Sequence, residues 1–374
     1  MKKWLVIPMV IALGTMTACG QTPTETKQEV SQEKLDLSSQ KKLTQAYQKL
    51  DDEWQKDQPD LGVVRSVYDQ ELRAQVQGAQ PEIDQLVDTY INAGQGGQAK
   101  APEVKQIVMK SLQHYFYEEM KSNIKEKVTE NFGNKDEALL ALAQGKVFYD
   151  DVLRGTAEKR DSQLKTTIAT EIDTAFADAE KAIQSQKKLD YLLQKQIIDK
   201  SMFRVFYLST DAYATKVSET VKTDPAKAKV QQLEGFAFYQ AIQESLSKGD
   251  AKAAEQIGHM FSPDQNPQGV NAKIIKQSFV VTFSGKVEGY ITKVLGESWE
   301  NRDQATEQAF EANMFLKAIE LDLEKALGHE EKEKLFQSAT QFFEATQKGD
   351  QTIAKQEAKV IQDKLVQTKA YFAK

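Results

Sequence analysis

The chain of 374 residues is poor in the residue types that carry chemistry unaided. It holds a single cysteine, Cys19, so no disulfide framework can staple the fold. Its three histidines, His114, His259 and His329, lie far apart in sequence and give no dense metal-ligand motif. Glycine and proline are sparse, at 19 and 8. Beyond residue 20 the prolines are Pro23, Pro59, Pro81, Pro102, Pro225, Pro263 and Pro267. None interrupts a periodic run, and strand-like alternation is absent, which excludes a turn-rich β fold. There is no Gly-x-Ser-x-Gly elbow and no phosphate-cradling glycine loop, because Gly94-Gln95-Gly96-Gly97 follows no strand. A formal net charge of −6 without a basic stripe argues against a nucleic-acid partner.

What is abundant is helical periodicity, and it repeats. Lys195 to Tyr207 contains Lys-Gln-Ile-Ile-Asp-Lys-Ser-Met-Phe. An earlier copy runs Lys105-Gln106-Ile107-Val108-Met109-Lys110-Ser111-Leu112, and a later one Lys273-Ile274-Ile275-Lys276-Gln277-Ser278-Phe279. Each heads an apolar stripe at steps of three and four. The stripes are Val108, Leu112, Phe116, Met120, Ile124, Val128; then Ile198, Met202, Phe206, Thr210, Tyr213, Val217; then Ile275, Phe279, Phe283, Val287, Tyr290, Val294. Such spacing gathers each stripe on one side of a long helix.

Ser111, Ser201 and Ser278 are separated by 90 and 77 positions. A second anchor, around Phe148, Phe238 and Phe315, repeats both offsets, so the duplicated object contains two helices in fixed register. The 13-residue difference falls between the second helix of one unit and the first of the next, where Ser262 to Gly269 reads as a loop. Tyr68-Asp69 to Leu72-Arg73 resembles Tyr149-Asp150 to Leu153-Arg154, and Glu82-Ile83-Asp84 resembles Glu171-Ile172-Asp173. Lys359 to Leu365 looks like a degenerate further copy of the first helix. The expected fold is all-α, an array of repeated amphipathic helical hairpins over 41–374. Its units cover about 60–103, 104–193, 194–271 and 272–350, with a degenerate end at 351–374.

The N-terminal stretch reads as an address. Lys2 and Lys3 precede a short apolar run from Trp4 to Leu13, too short to cross a bilayer. Met16-Thr17-Ala18-Cys19 resembles the bacterial lipobox, with Met16 where leucine is usual. That resemblance implies a signal peptide over 1–18, removed before lipidation of Cys19, and anchorage on the extracytoplasmic face of a bacterial membrane. Residues 19–40 are polar and read as a flexible tether. An all-helical, lipid-anchored body with acidic-aromatic helices is similar in architecture to the imelysin-like lipoproteins of iron uptake, although their Gly-x-His-x-x-Glu pattern is absent.

Candidate chemistry is thin. His114 with Glu118 and the adjacent Glu119 could share a cation, since positions four apart face the same way. The competing reading is a solvated polar face. His329 with Glu333 has the same spacing at a charged helix start, and His259 reads as a helix terminus. Asp51-Asp52-Glu53, Glu118-Glu119 and Asp150-Asp151 adjoin aromatics, so a hard cation between repeats is chemically conceivable. The recurrent Ser111, Ser201 and Ser278 read as close helix contacts, and Phe116, Phe206, Phe283, Phe148, Phe238 and Phe315 as repeat core. The expectation is a non-enzymatic binding or accessory lipoprotein, with no cofactor and with a protein or small-molecule partner. A metal-handling lipoprotein serving an importer is the alternative, and an extracytoplasmic hydrolase the second alternative.

Overall fold

The computed structural model describes residues 35–374, so the signal region, Cys19 and most of the tether lie outside the described residues. The described part is all-α, with fourteen helices and no strand. Helix α1 is Ser38–Trp54. Helix α2 runs Leu61–Val67, through a π-helical turn Tyr68–Leu72, into Arg73–Ala79, and α3 is Pro81–Gln95. Helix α4 runs Ala101–Lys121, through the π-helical turn Ser122–Lys127, into Val128–Glu130. Helix α5 runs Lys135–Phe148, through the π-helical turn Tyr149–Leu153, into Arg154–Leu164. Then come α6 (Ile168–Gln184), α7 (Lys188–Thr220), α8 (Pro225–Ser247) and α9 (Ala251–Phe261). The last five are α10 (Ala272–Leu295), α11 (Arg302–Ala318), α12 (Glu320–Leu327), α13 (His329–Lys348) and α14 (Gln351–Phe372).

Each expected hairpin carries a third helix. The long first helices are α4, α7 and α10, the second helices α5, α8 and α11, and the third α6, α9 and α13. Each first helix packs on its own second helix. Helices α4 and α7 pack also on the second helix of the following unit, α8 and α11, whereas α10 meets α14. Contacts therefore pass from neighbour to neighbour, as in a repeat array. The 13-residue difference, which the sequence reading places in a loop, lies in the helices. Helix α5 continues to Leu164 where α8 stops at Ser247, and α6 has 17 residues against 11 in α9. The Ser262–Gly269 connection contains only one short 3-10 turn.

The start of α1 is also earlier than the polar composition suggests. Ser38 to Gln40 already belong to the helix, because the Asp36 carboxylate accepts from the Ser38 amide at 3.0 Å and its hydroxyl at 2.6 Å. Lys41 and Thr44 then bind Asp151 at 2.9 and 2.7 Å, tying α1 to the π-turn of α5. At Thr223-Asp224-Pro225 the cap forms as its residue types dictate: Asp224 accepts from the Lys227 amide at 2.9 Å, and Pro225 opens α8.

The two sequence look-alikes at Tyr68 and Tyr149 are both π-helical turns. Both also lead into the same ion pair. Arg73 Nε lies 3.2 Å from Asp84, and Arg154 Nη2 2.5 Å from Asp173. Extra residues in a π-turn shift the helix register, and the arginine beyond it then fixes the third helix across the gap.

All three stripes are buried, apart from the half-buried Tyr290. The two anchors of each unit meet. Phe116 faces Phe148 at 5.6 Å between ring centroids, Phe206 faces Phe238 at 5.9 Å, and Phe283 faces Phe315 at 6.2 Å. Ser111, Ser201 and Ser278 are each about as buried as the rings, at 3%, 2% and 3% exposed. Elsewhere backbones touch directly. A Cβ on Gly285 of α10 would lie 2.2 Å from the Gly249 carbonyl oxygen, in the turn between α8 and α9. Gly349 serves differently in the similar Lys348-Gly349-Asp350 break, where its φ of +78° ends α13.

Phe206→Ala and Phe283→Ala are each expected to cost about 3–5 kcal/mol in denaturant unfolding. A loss below roughly 1 kcal/mol at both sites would contradict their placement. Gly285→Ala is expected to cost about 1–3 kcal/mol, since the added methyl meets backbone that cannot rotate away. Gly269→Ala, with open space around its Cβ, is the matched control in the same melts.

Candidate functional site

A polar cleft of about 250 Å³ opens where α4, α7, α10 and α11 converge. Helix α4 contributes Lys121 and Lys125, α7 Lys195 to Lys200, α10 Tyr290 and Lys293, and α11 Gln304 to Glu311. Its buried charges are paired. Lys195 Nζ and Gln196 Nε2 both donate to Glu307 Oε1, each at 2.8 Å. Lys200 lies 2.6 Å from Asp199 and 2.9 Å from Glu311, and the Tyr117 hydroxyl donates to Asp199 at 2.7 Å.

These contacts set the protonation states. Burial pushes the Asp199 carboxyl up, but Lys200 and Lys121 hold it well below the usual carboxylate range. Burial pushes the Lys200 ammonium down, and Asp199 with Glu311 overcome this and raise it. Glu311 is likewise lowered against its burial, by Lys200 and the Tyr290 hydroxyl. Asp199, Lys200 and Glu311 are thus held in their charged forms near neutral pH. Two polar atoms are left over. The carbonyl oxygens of Gln196, 5% exposed, and Gln308 have no partner. Glu307 occupies the Gln196 amide nitrogen, so the Gln196 oxygen, like that of Gln308, is an acceptor without a partner among the described residues.

Beside the cleft but outside its lining, Lys286 packs over the Phe315 and Tyr290 rings at 4.9 and 5.2 Å and against Gly249. Burial, with Lys200 adding repulsion, pushes its ammonium down to about 8.

The cleft's polar frame recurs one unit earlier. Lys200, Tyr290, Lys293, Glu311 and Phe315 occupy the repeat positions of Lys110, Tyr213, Lys216, Glu234 and Phe238, at the offsets of 90 and 77 that relate the helices. The side chains are disposed alike. Lys200 sits over Phe315 at 5.3 Å and Lys110 over Phe238 at 5.2 Å. Lys293 lies 5.7 Å from the Tyr290 ring and Lys216 4.5 Å from the Tyr213 ring. Sequence reasoning passed over this set because it sought carboxylate pairs and histidines. Aligning the charged positions on the same two offsets would have found it.

The residues singled out from sequence lie elsewhere. His114 Nε2 is 4.0 Å from Glu118, but Glu118 is held by Lys121 at 2.7 Å. The solvated face expected for this histidine is not what forms. Its side chain is only 15% exposed, because α8 covers this side of α4, and burial pushes the imidazole down to about 4. Glu119 is raised by burial. His329, at the first position of α13, approaches Glu324 at 3.8 Å and not Glu333, and the exposed His259 lies in the last turn of α9.

The carboxylate pairs are engaged locally. Asp150 binds Lys146 and Arg154 at 2.5 and 2.6 Å, Asp151 binds Lys41, and Glu53 accepts from Lys56 and from the Asp60 amide. Among the described residues no group of three or more His, Cys, Asp or Glu side chains is arranged to hold a metal ion. No protein-family model matches the sequence, and neither a curated protein nor a solved structure matches it.

His114 provides a pH test. Its folded pKa lies below the ordinary 6.5, so the unfolded chain binds the extra proton between about 6.5 and 4. The stability it confers as a neutral ring is present above 6.5 and drains away as pH falls to about 4, by about 3 kcal/mol in all. His114→Gln should remove that part of the slope in urea melts taken across this range. A slope identical to that of the unsubstituted protein would place the ring in solvent.

Proposed function

We propose that the chain is a non-enzymatic binding lipoprotein, held through lipidated Cys19 on the extracytoplasmic face of a bacterial membrane, that takes a small polar ligand in the cleft between α4, α7, α10 and α11. The observation that carries the reading is the cleft's combination of ion-paired walls with a free acceptor. Its ions are already neutralised by one another, so the walls stay rigid and charged, and the buried Gln196 carbonyl among them lacks a partner that a ligand's donor would supply. The lysines unpaired among the described residues, Lys125 and Lys293, stand exposed at the rim and favour a ligand that also bears negative charge.

The same electrostatics support binding over catalysis. A general acid or base works best with a pKa near the operating pH, whereas Asp199 is pushed down and Lys200 up, each away from neutrality. The lipobox resemblance supports the location, and the polar stretch over 21–37 is long enough to hold the folded body clear of the lipid surface.

Cell fractionation and native mass spectrometry test the two halves separately. Cys19→Ser is expected to abolish lipidation and release the protein from the membrane fraction. Protein purified gently from its own membrane is expected to carry a small-molecule adduct that Gln196→Leu removes while the melting curve is kept. Membrane retention of the Cys19→Ser protein with normal processing would overturn the anchor. An empty cleft in every preparation, or an adduct indifferent to Gln196→Leu, would overturn the ligand site.

A further inference from the structure

The repeat-equivalent junction one unit earlier, where α4, α5, α7 and α8 meet, differs from the cleft in its charge balance. In the cleft Lys200 is neutralised by both Asp199 and Glu311. At the earlier junction the position of Asp199 is taken by Met109, so Lys110 keeps the counterpart of Glu311, Glu234, but lacks the adjacent acid, and it makes no ion pair among the described residues. A further cation is then added. Arg160, from the extension of α5 beyond its π-turn, is 2% exposed, and its Nε has no hydrogen-bond partner among the described residues. Lys216, half-buried over Tyr213, and exposed Lys159 complete the group.

Four cations therefore gather around Glu234, with Asp51 as a further acid acting on Lys110 alone. Burial pushes Lys110, Arg160 and Lys216 down, Glu234 opposes this at each, and Lys216 feels repulsion from both Arg160 and Lys159. Burying a guanidinium without a matching acid is costly, and this joint retains one while its sister joint carries an added acid, so a counter-charge is lacking here.

We infer that this junction is a second, separate site that binds a small anion, a phosphate or carboxylate group, with Arg160 as its buried anchor and Lys110 and Lys216 as flanking donors. A planar guanidinium suits either group, because both present two oxygens at the spacing of its N–H fork. The site does not depend on the Gln196 cleft.

Calorimetric titration of the full-length protein in detergent with inorganic phosphate, and separately with acetate, tests the inference. One anion per chain is expected to bind. Arg160→Met should abolish binding, and Lys216→Met should weaken it by about tenfold, the loss of one charge-assisted hydrogen bond. Gln196→Leu should leave it unchanged, so failure here and failure at the cleft are distinguishable. Binding of phosphate alone assigns a phosphate-bearing ligand, and binding of acetate alone a carboxylate. Absence of heat with both probes, or binding that survives Arg160→Met, overturns the site. Removing a buried unpaired charge should not unfold the chain. If Arg160→Met nonetheless fails to fold, Lys216→Met decides: weakened binding supports the site and unchanged binding overturns it.

Discussion

The contact on which the array depends is the aromatic pair at the centre of each unit. Phe116 against Phe148, Phe206 against Phe238 and Phe283 against Phe315 are the same contact made three times. Each joins a first helix to its second helix at one height, and everything above and below inherits that register. The rings bury large apolar areas and prefer tilted geometries, so they fix the rotation of the two helices as well as their separation. Tyr207, beside the last of these pairs, also contacts Phe279 and Phe283, which extends the aromatic layer from α7 into α10. The rings therefore build the units and part of the joint between them.

Around that apolar layer the units are joined by buried polar pairs. Tyr117 on α4 donates to Asp199 on α7, and its repeat counterpart Tyr207 donates to Asp322 in the following unit. Lys276 then binds both Asp322 and Asp211, at 2.7 and 2.8 Å. Such pairs add little net stability over a hydrophobic joint, but removing one partner strands the other, so they specify which unit follows which. At Lys200 the network closes with two acids. At Lys110 it does not, because methionine replaces aspartate one residue before the lysine. That substitution, together with the added Arg160, leaves this joint with surplus positive charge where its sister is self-neutralised.

The apolar architecture was legible from sequence because burial leaves a periodic trace. The stripe from Val108 to Val128 and its two copies sit at helical spacing whatever surrounds them, and the offsets of 90 and 77 positions followed. The third helix of each unit was harder. Helix α9 has only 11 residues, and Glu171-Ile172-Asp173 signalled similarity without showing where α6 begins and ends. The π-turns were present as a matched pair of tyrosine-to-arginine segments, but an inserted residue inside a helix has no composition of its own. The polar site was illegible for another reason. Lys121, Lys195, Tyr290 and Glu311 lie on four helices, and each alone resembles a solvated residue of an ordinary helix. Only the superposition of repeats separates Lys200 and Glu311 from surface charge. His114 shows the converse, since its spacing to Glu118 suggested chemistry that burial and Lys121 remove.

A ligand held at a joint would have a consequence for an array in which units touch mainly their neighbours. Stability is then close to a sum of unit and interface contributions, and the weakest joint sets where the chain opens. The joint made by α4 and α8 carries uncompensated charge at Lys110 and Arg160, while the joint made by α7 and α11 is tied by Lys195, Lys200 and their acids. Opening should therefore begin on the side nearer the N-terminus. An anion bound at Arg160 would stabilise that joint by an amount that grows with the logarithm of its free concentration above the dissociation constant, because it binds the closed form and not the parted helices. The same anion reaches the Gln196 cleft only through α4 and α7, which line both sites at different heights. Helix α4 carries Lys110 at one and Lys121 at the other, so holding one end of the helix firm narrows the positions open to the second. Coupling between the sites would then arise from a shared rigid helix, without any rearrangement of the rings at its middle.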